Sequence, residues 1–172
     1  MRCRSGVLRR WQGPVGRVFD EALESVAVLD ALGQRTSSFF GYSYGGYVAF
    51  CLVQYYPKRV SSLAIGGAHP YAENLQPFRD LFPTDQAALA ASIDKVFGHL
   101  VPPGWRNRLV ANDVAAIHLA ARDRVSIAED ILLKVTTPCL LFVGELDPRL
   151  AAVRQCASQL TNCTLFTLPG CD

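Results

Sequence analysis

The sequence predicts an α/β fold, a mostly parallel sheet flanked by helices on both faces, and three observations lead there. Short strand candidates alternate with helical patterns along most of the chain. The strand candidates are short and largely apolar, and the one after Pro138 is continuously so, the mark of a strand buried on both sides. The first of them runs directly into a glycine-rich corner, Gly41-Tyr42-Ser43-Tyr44-Gly45-Gly46, which opens a helix.

In chain order, Val18, Ala22, Val26, Leu29 and Leu32 recur at helical spacing, with Asp20, Glu21 and Glu24 near the start and Gly33 just past the end. This is an amphipathic helix closed by a glycine. Ser37 to Phe40 is a strand, and a helix from Gly45 to about Tyr56 is stopped by Pro57. Val60 to Ile65 is the next strand, which Gly66 and Gly67 let the chain leave sharply. From Tyr71 to Thr137 there is no strand pattern. Helical patterns at Ala87–Leu100, Asn107–Ala121 and Ile127–Lys134 are separated by the breakers PTD and VPPGW, so residues 67–137 read as a helical insertion within a single domain spanning 1–172. After Pro138, CLLFVGELD is an apolar strand ending in an acid, Leu150 to Leu160 is a helix, and Cys163 to Leu168 is a last strand before Pro169-Gly170.

Composition narrows the function classes. The 172 residues are 50% hydrophobic and 19% charged, enough for one core, and the net charge is +2. Arg2, Arg4, Arg9 and Arg10 make the start mildly basic without an aromatic or motif context, so no nucleic-acid partner is expected. No apolar run is long enough for a membrane span and the start lacks the apolar centre of a secretory signal, which gives no membrane partner and a cytoplasmic location. The six cysteines form no CxxC pair and read as reduced, mostly buried small hydrophobes, with no metal site. No G-x-G-x-x-G or phosphate-binding loop is present, so no cofactor is expected.

The corner fits G-x-S-x-G between a strand and a helix, the context that gives this pattern chemical meaning. A serine there sits on a strained turn with its hydroxyl projecting from the carboxyl end of the sheet. The positions two before and two after it, Gly41 and Gly45, must then be nearly free of side chain. The N–H of Tyr44 and the positive end of the following helix point to where an oxyanion develops. The competing reading is a glycine turn whose serine caps the helix.

VAVLDALG, FFGYSYGGYVAF, YPKRVSSLAIGGAHPY, VTTPCLLFVGELDPRL and TLFTLPGCD together resemble the α/β-hydrolase superfamily, in its serine-esterase-like branch with a helical cap, over about Val18 to Asp172. The resemblance implies a serine nucleophile at Ser43, an oxyanion donor at Tyr44 and an acid at Asp147, which follows Gly144 in a G-x-x-D pattern. It implies hydrolysis of a small apolar ester or related carbonyl compound. A serine at this position excludes the branches that use an aspartate nucleophile.

The resembling sequences place a histidine directly after a stretch like Pro169-Gly170-Cys171-Asp172, and a histidine-glycine loop ahead of the first helix. The sequence therefore reads as a partial α/β-hydrolase fold clipped at both ends, with little activity expected because a serine needs a base to take its proton. The alternative is a non-catalytic fragment acting through self-association or a complementary chain, with the exposed strand edge at Ser37–Phe40 as the surface. Of the three histidines, His69 follows the strand next to the nucleophile strand. GGAHPY reads as a pocket-wall turn, with a substitute base as its alternative. His99 and His118 fall on predicted cap helices as structural residues. Phe78, Phe82, Phe97 and Trp105 read as packing aromatics before pocket lining.

Overall fold

The computed structural model describes residues 16–97, 102–122, 124, 126–127 and 132–172. The basic start, Cys3, His99 and residues 128–131 of the predicted Ile127–Lys134 helix lie outside them. The described residues form two compact units, one within 1–71 and 125–172, the other spanning 72–124.

In the first unit, helix α1 (Gly16–Ala31) ends at Gly33, whose φ of 65° lets the chain reverse while the Gln34 N–H bonds the Leu29 carbonyl at 2.8 Å. Strand β1 (Ser37–Tyr42) leads through Ser43 into helix α2 (Tyr44–Tyr55). Pro57 ends that helix by opening a short 3-10 turn, Pro57–Arg59. Strand β2 (Val60–Gly66) follows, and beyond the second unit come strand β3 (Cys139–Gly144) and, last in the chain, strand β4 (Cys163–Leu168). All adjacent pairs are parallel, in the order β1-β2-β3-β4. The helix between β3 and β4 spans Leu150–Gln159.

Register sorts the strand residues onto two faces. Phe39, Leu63, Cys139 and Cys163 form one row, and Gly41, Ile65, Leu141 and Leu165 the next. These rows join a single core with Ala22 and Val26 of α1, Tyr47 and Phe50 of α2, and Val153 and Cys156 of the last helix. The opposite face carries the rows Phe40-Ala64-Leu140-Thr164 and Tyr42-Gly66-Phe142-Phe166. There Phe40 is 73% exposed and Phe166 55% exposed. The Phe142 ring stacks with Phe40 at 5.9 Å and Tyr42 at 6.4 Å. It leaves no room for a side chain on Gly66, where an added Cβ would lie 2.3 Å from it. The sequence expectation of helices on both faces is thus met on one face only among the described residues. The apolar runs show that both faces are hydrophobic and do not show what covers them. Among the described residues the outer edge of β1 has no strand partner either.

The second unit, helical throughout its named elements, contains α3 (Gln76–Arg79), α4 (Gln86–Phe97), α5 (Pro103–Val110) and α6 (Val114–Ala120), which makes the Leu150–Gln159 helix α7. It lies inside the 67–137 span read from the sequence. The helix expected over Asn107–Ala121 is two helices, because the Asp113 carboxylate accepts the Ala116 N–H at 3.1 Å and starts a new one. Phe82, Leu89 and Ile93 form this unit's own core. Phe78 packs on Phe82 with ring centroids 5.0 Å apart, and Trp105 is 61% exposed. His118 is held through Nε2 at 2.7 Å from the Phe82 carbonyl. The unit's ends are joined by an antiparallel bridge, Glu73 N–H to Arg124 O at 3.1 Å and Arg124 N–H to Glu73 O at 2.9 Å. An ion pair between the same side chains at 3.2 Å lies almost wholly out of solvent.

The cysteines of the described residues are free thiols. Burial pushes Cys51, Cys139 and Cys156 each up to about 12. Among the described residues no helix is long and apolar enough to cross a membrane, and no cluster of His, Cys, Asp and Glu could hold a metal ion.

Candidate active site

A sheet of four parallel strands sends every strand end to one edge, so the residues following β1, β2, β3 and β4 gather there from distant parts of the sequence. Ser43 follows β1, Gly67 and His69 follow β2, Asp147 follows β3, and Cys171 follows β4.

Ser43 has φ 52° and ψ −111°, and it is the only non-glycine residue with positive φ among those described. A strained backbone of this kind costs on the order of 1–3 kcal/mol and persists only where the surroundings over-determine it. Here the surroundings are a set of backbone hydrogen bonds. The Ser43 N–H donates to the Gly66 carbonyl at 2.8 Å, and the Ser43 carbonyl accepts from Gly46 and Tyr47 at 3.1 and 3.2 Å. The Ser43 hydroxyl makes no capping bond to α2, so the plain helix-cap reading does not describe it.

Tightness around the corner is uneven. A Cβ on Gly41 would stand 2.3 Å from the Gly45 carbonyl oxygen, and one on Gly46 would stand 2.6 Å from the Ala68 Cβ. A Cβ on Gly45 would meet nothing within 4 Å. The expectation that both Gly41 and Gly45 must lack side chains therefore holds for Gly41 alone, because Gly45 faces outward on the first turn of α2 and the packing constraint falls on Gly46.

Tyr44 is the first residue of α2, with its N–H at the positive end of the helix. Its phenol donates to Oε1 of Glu21 on α1. Asp147 is only 9% exposed. Its Oδ1 accepts the Arg149 N–H at 2.7 Å and lies 3.9 Å from the Arg149 Nη1. Its Oδ2 bonds to none of the described residues and lies 3.5 Å from where a Gly67 Cβ would be. Ser43 and Asp147 thus flank the end of β2, one bonded to Gly66 and the other against Gly67. After β4 the chain turns back across Gly144, where an added Cβ would lie 2.2 Å from the Cys171 oxygen. That same oxygen accepts the Leu146 N–H at 2.8 Å, one residue from Asp147.

His69 is 5% exposed. Its Nδ1 accepts the Tyr71 N–H at 3.3 Å and its ring stacks on Tyr71 at 5.6 Å. The Tyr71 hydroxyl in turn donates to Gln159 at 2.7 Å. Sequence reasoning missed the contact of Glu21 with Tyr44 and the Tyr42 ring beside Gly67. Both join residues more than twenty positions apart, which no local pattern marks.

Residues 16–113 match the family model described as alpha/beta hydrolase fold. No curated protein matches the sequence. Among solved structures, a hydrolase from Pseudomonas aeruginosa PA01 aligns with TM-score 0.73 at 20% identity, over 88% of this chain and 63% of that one. A meta-cleavage product hydrolase from Pseudomonas fluorescens IP01 aligns with TM-score 0.69 at 15% identity, over 89% and 64%. A thermophilic esterase from Thermogutta terrifontis gives 0.69 at 18%, over 88% and 63%. At these identities the likeness is one of fold, and the chain spans less than two thirds of the length of each.

Proposed function

Because the chain belongs to the alpha/beta hydrolase fold family, we propose that it carries the nucleophile and the acid of a serine hydrolase acting on a small apolar ester or related carbonyl compound. The Ser43 oxygen attacks the carbonyl carbon, and its proton passes to an imidazole. The Tyr44 N–H and the start of α2 stabilise the oxyanion. The imidazole then returns the proton to the leaving alcohol, and water releases the acyl group from Ser43 by the same steps. Asp147 Oδ2 would orient the imidazole. His69 is engaged with Tyr71 and stays a pocket-wall residue in this reading. The turn after β4 lies against the acid's loop, and this reading places the imidazole on that side of Asp147.

The observation that carries the proposal is Ser43, at φ 52° with its hydroxyl withheld from the helix cap. The test is hydrolysis of p-nitrophenyl acetate by the 172-residue polypeptide, by the same chain with one histidine appended, and by Ser43→Ala versions of both. Slow turnover that needs Ser43 is expected, raised only modestly by the added histidine because one oxyanion donor is assigned. Rates indifferent to Ser43 would refute the proposal, and loss of activity in His69→Ala would transfer the base role to His69.

A second reading, self-association, is favoured by the β1 edge with its exposed Phe40 and by the apolar sheet face beside it. Its occupant would be a second copy of this chain. Sedimentation over a concentration series should show a rising apparent mass that Phe40→Lys reduces; a concentration-independent monomer would refute it.

A further inference from the structure

Tyr44 is fixed at its side chain as well as through its backbone. Its phenol donates to Oε1 of Glu21 at 2.5 Å. Glu21 sits beside Ala22 and Val26, which bury α1 in the same core as Tyr47 and Cys51 of α2. The charge of Glu21 is also felt further along α2. The Cys51 thiol, seven residues beyond Tyr44 and on the same face of the helix, is pushed up first by burial and then by the Glu21 charge. One carboxylate on α1 thus bonds the first turn of α2, and its charge reaches Cys51 further along the same helix.

The start of α2 needs such an anchor. Helix ends fray, and Ser43 supplies no side-chain cap. The Glu21–Tyr44 bond leaves the backbone N–H groups as they are but ties the first turn of α2 to α1.

We infer that Glu21 is a positioning residue: by holding the Tyr44 phenol it sets the rotation of the first turn of α2 and with it the direction of the Tyr44 N–H. The inference rests on the acyl-transfer reading for its catalytic meaning and on the geometry alone for the anchor. Removing an oxyanion donor outright costs on the order of 10²- to 10³-fold in kcat. A donor that is present but loosely aimed should cost less.

The experiment compares Glu21→Ala, Tyr44→Phe, their double variant and Glu21→Gln in the 172-residue chain, with p-nitrophenyl acetate as substrate. The first two should each lower the Ser43-dependent kcat by about tenfold with KM little changed, and the double variant should be no worse than either, as for two ends of one interaction. Gln at position 21 still offers an amide oxygen to the phenol and should restore most of the loss. An unchanged kcat in Glu21→Ala, or no recovery with Gln, overturns the inference. The amide resonance of 15N-labelled Tyr44 provides a readout independent of turnover. It should move in Glu21→Ala and return in Glu21→Gln; an unmoved resonance overturns the anchor. If no form of the chain shows Ser43-dependent turnover while the resonance behaves as stated, the acyl-transfer reading fails and the anchor stands.

Discussion

The two glycines that bracket the nucleophile should respond to the same substitution with opposite sign. In Gly41→Ala the new methyl would sit 2.3 Å from the Gly45 carbonyl oxygen, 2.5 Å from its carbon and 2.7 Å from the Gly46 nitrogen. All three are backbone atoms of the first turn of α2, so no rotamer change relieves the clash. Overpacking a tight site costs about 1–3 kcal/mol, and an obstacle made of backbone belongs at the top of that range. For a chain of this length each kcal/mol moves the Tm by roughly 2–4 °C, so a fall of about 6–12 °C is expected. In Gly45→Ala the methyl meets nothing within 4 Å. A helical glycine replaced by alanine gains on the order of 0.5–1 kcal/mol, a rise of about 1–4 °C by the same conversion. Thermal unfolding followed by circular dichroism on both variants decides the matter. A Gly45→Ala variant that loses as much as Gly41→Ala would refute the reasoning, because the sequence motif alone treats the two glycines as equivalent and only the geometry separates them.

Other perturbations test other parts of the structure. Ser43→Gly should raise stability by about 1–2 kcal/mol, by removing the penalty for a side chain at positive φ, while abolishing labelling by a fluorophosphonate; lowered denaturant stability would show that Ser43 is not strained. Arg124→Ala should cost on the order of a few kcal/mol by removing a buried cation paired with Glu73, and the exchanged pair Glu73→Arg/Arg124→Glu should recover part of that in urea unfolding; a loss under about 1 kcal/mol would mean the pair is solvated. The thiols of Cys51, Cys139 and Cys156 have folded pKa values of about 12 against an ordinary 9.0. A group raised on folding lends stability that is complete below its unfolded value and lost as pH climbs toward the folded one. The contribution of these thiols should therefore be constant below pH 9.0 and fall between there and about 12, by up to about 1.4 kcal/mol per pH unit for each thiol. Cys51→Ala should make the urea midpoint less sensitive to pH over that window, and an unchanged slope would contradict the assignment.

How much of this was legible beforehand depended on the range of the interaction. Gly33 as a helix stop, the run Cys163–Leu168 as a strand and the Ser43 corner are decided within a few residues, and each appears in the structure where the sequence places it. The Asn107–Ala121 reading failed for a local reason that was visible, since Asp113 is a ready helix-starter that apolar periodicity overrode. The bare sheet face could not be read. Phe40, Leu140 and Phe166 are as hydrophobic as Leu141 and Ile65, and only the register across strands separates the exposed row from the buried one. The Glu21–Tyr44 contact was hidden in the same way, an acidic residue at the start of an amphipathic helix looking like any solvated one.

Strands β2 and β3 pair residue for residue, Leu63 with Cys139 through Gly66 with Phe142, although the whole helical unit is threaded between them. The entropy of closing a loop grows only with the logarithm of its length, and each doubling adds about 0.6 kcal/mol. To the sheet, the intervening segment is close to weightless. It keeps its own core around Phe82, Leu89 and Ile93 and closes on itself at Glu73 and Arg124. Lengthening, shortening or exchanging it would leave Gly66, Gly67 and the residues they space almost undisturbed. The fold thus separates the part free to vary from the part that must hold still, and a graft of a foreign helical segment between Tyr71 and Val125 should leave the φ of Ser43 unchanged.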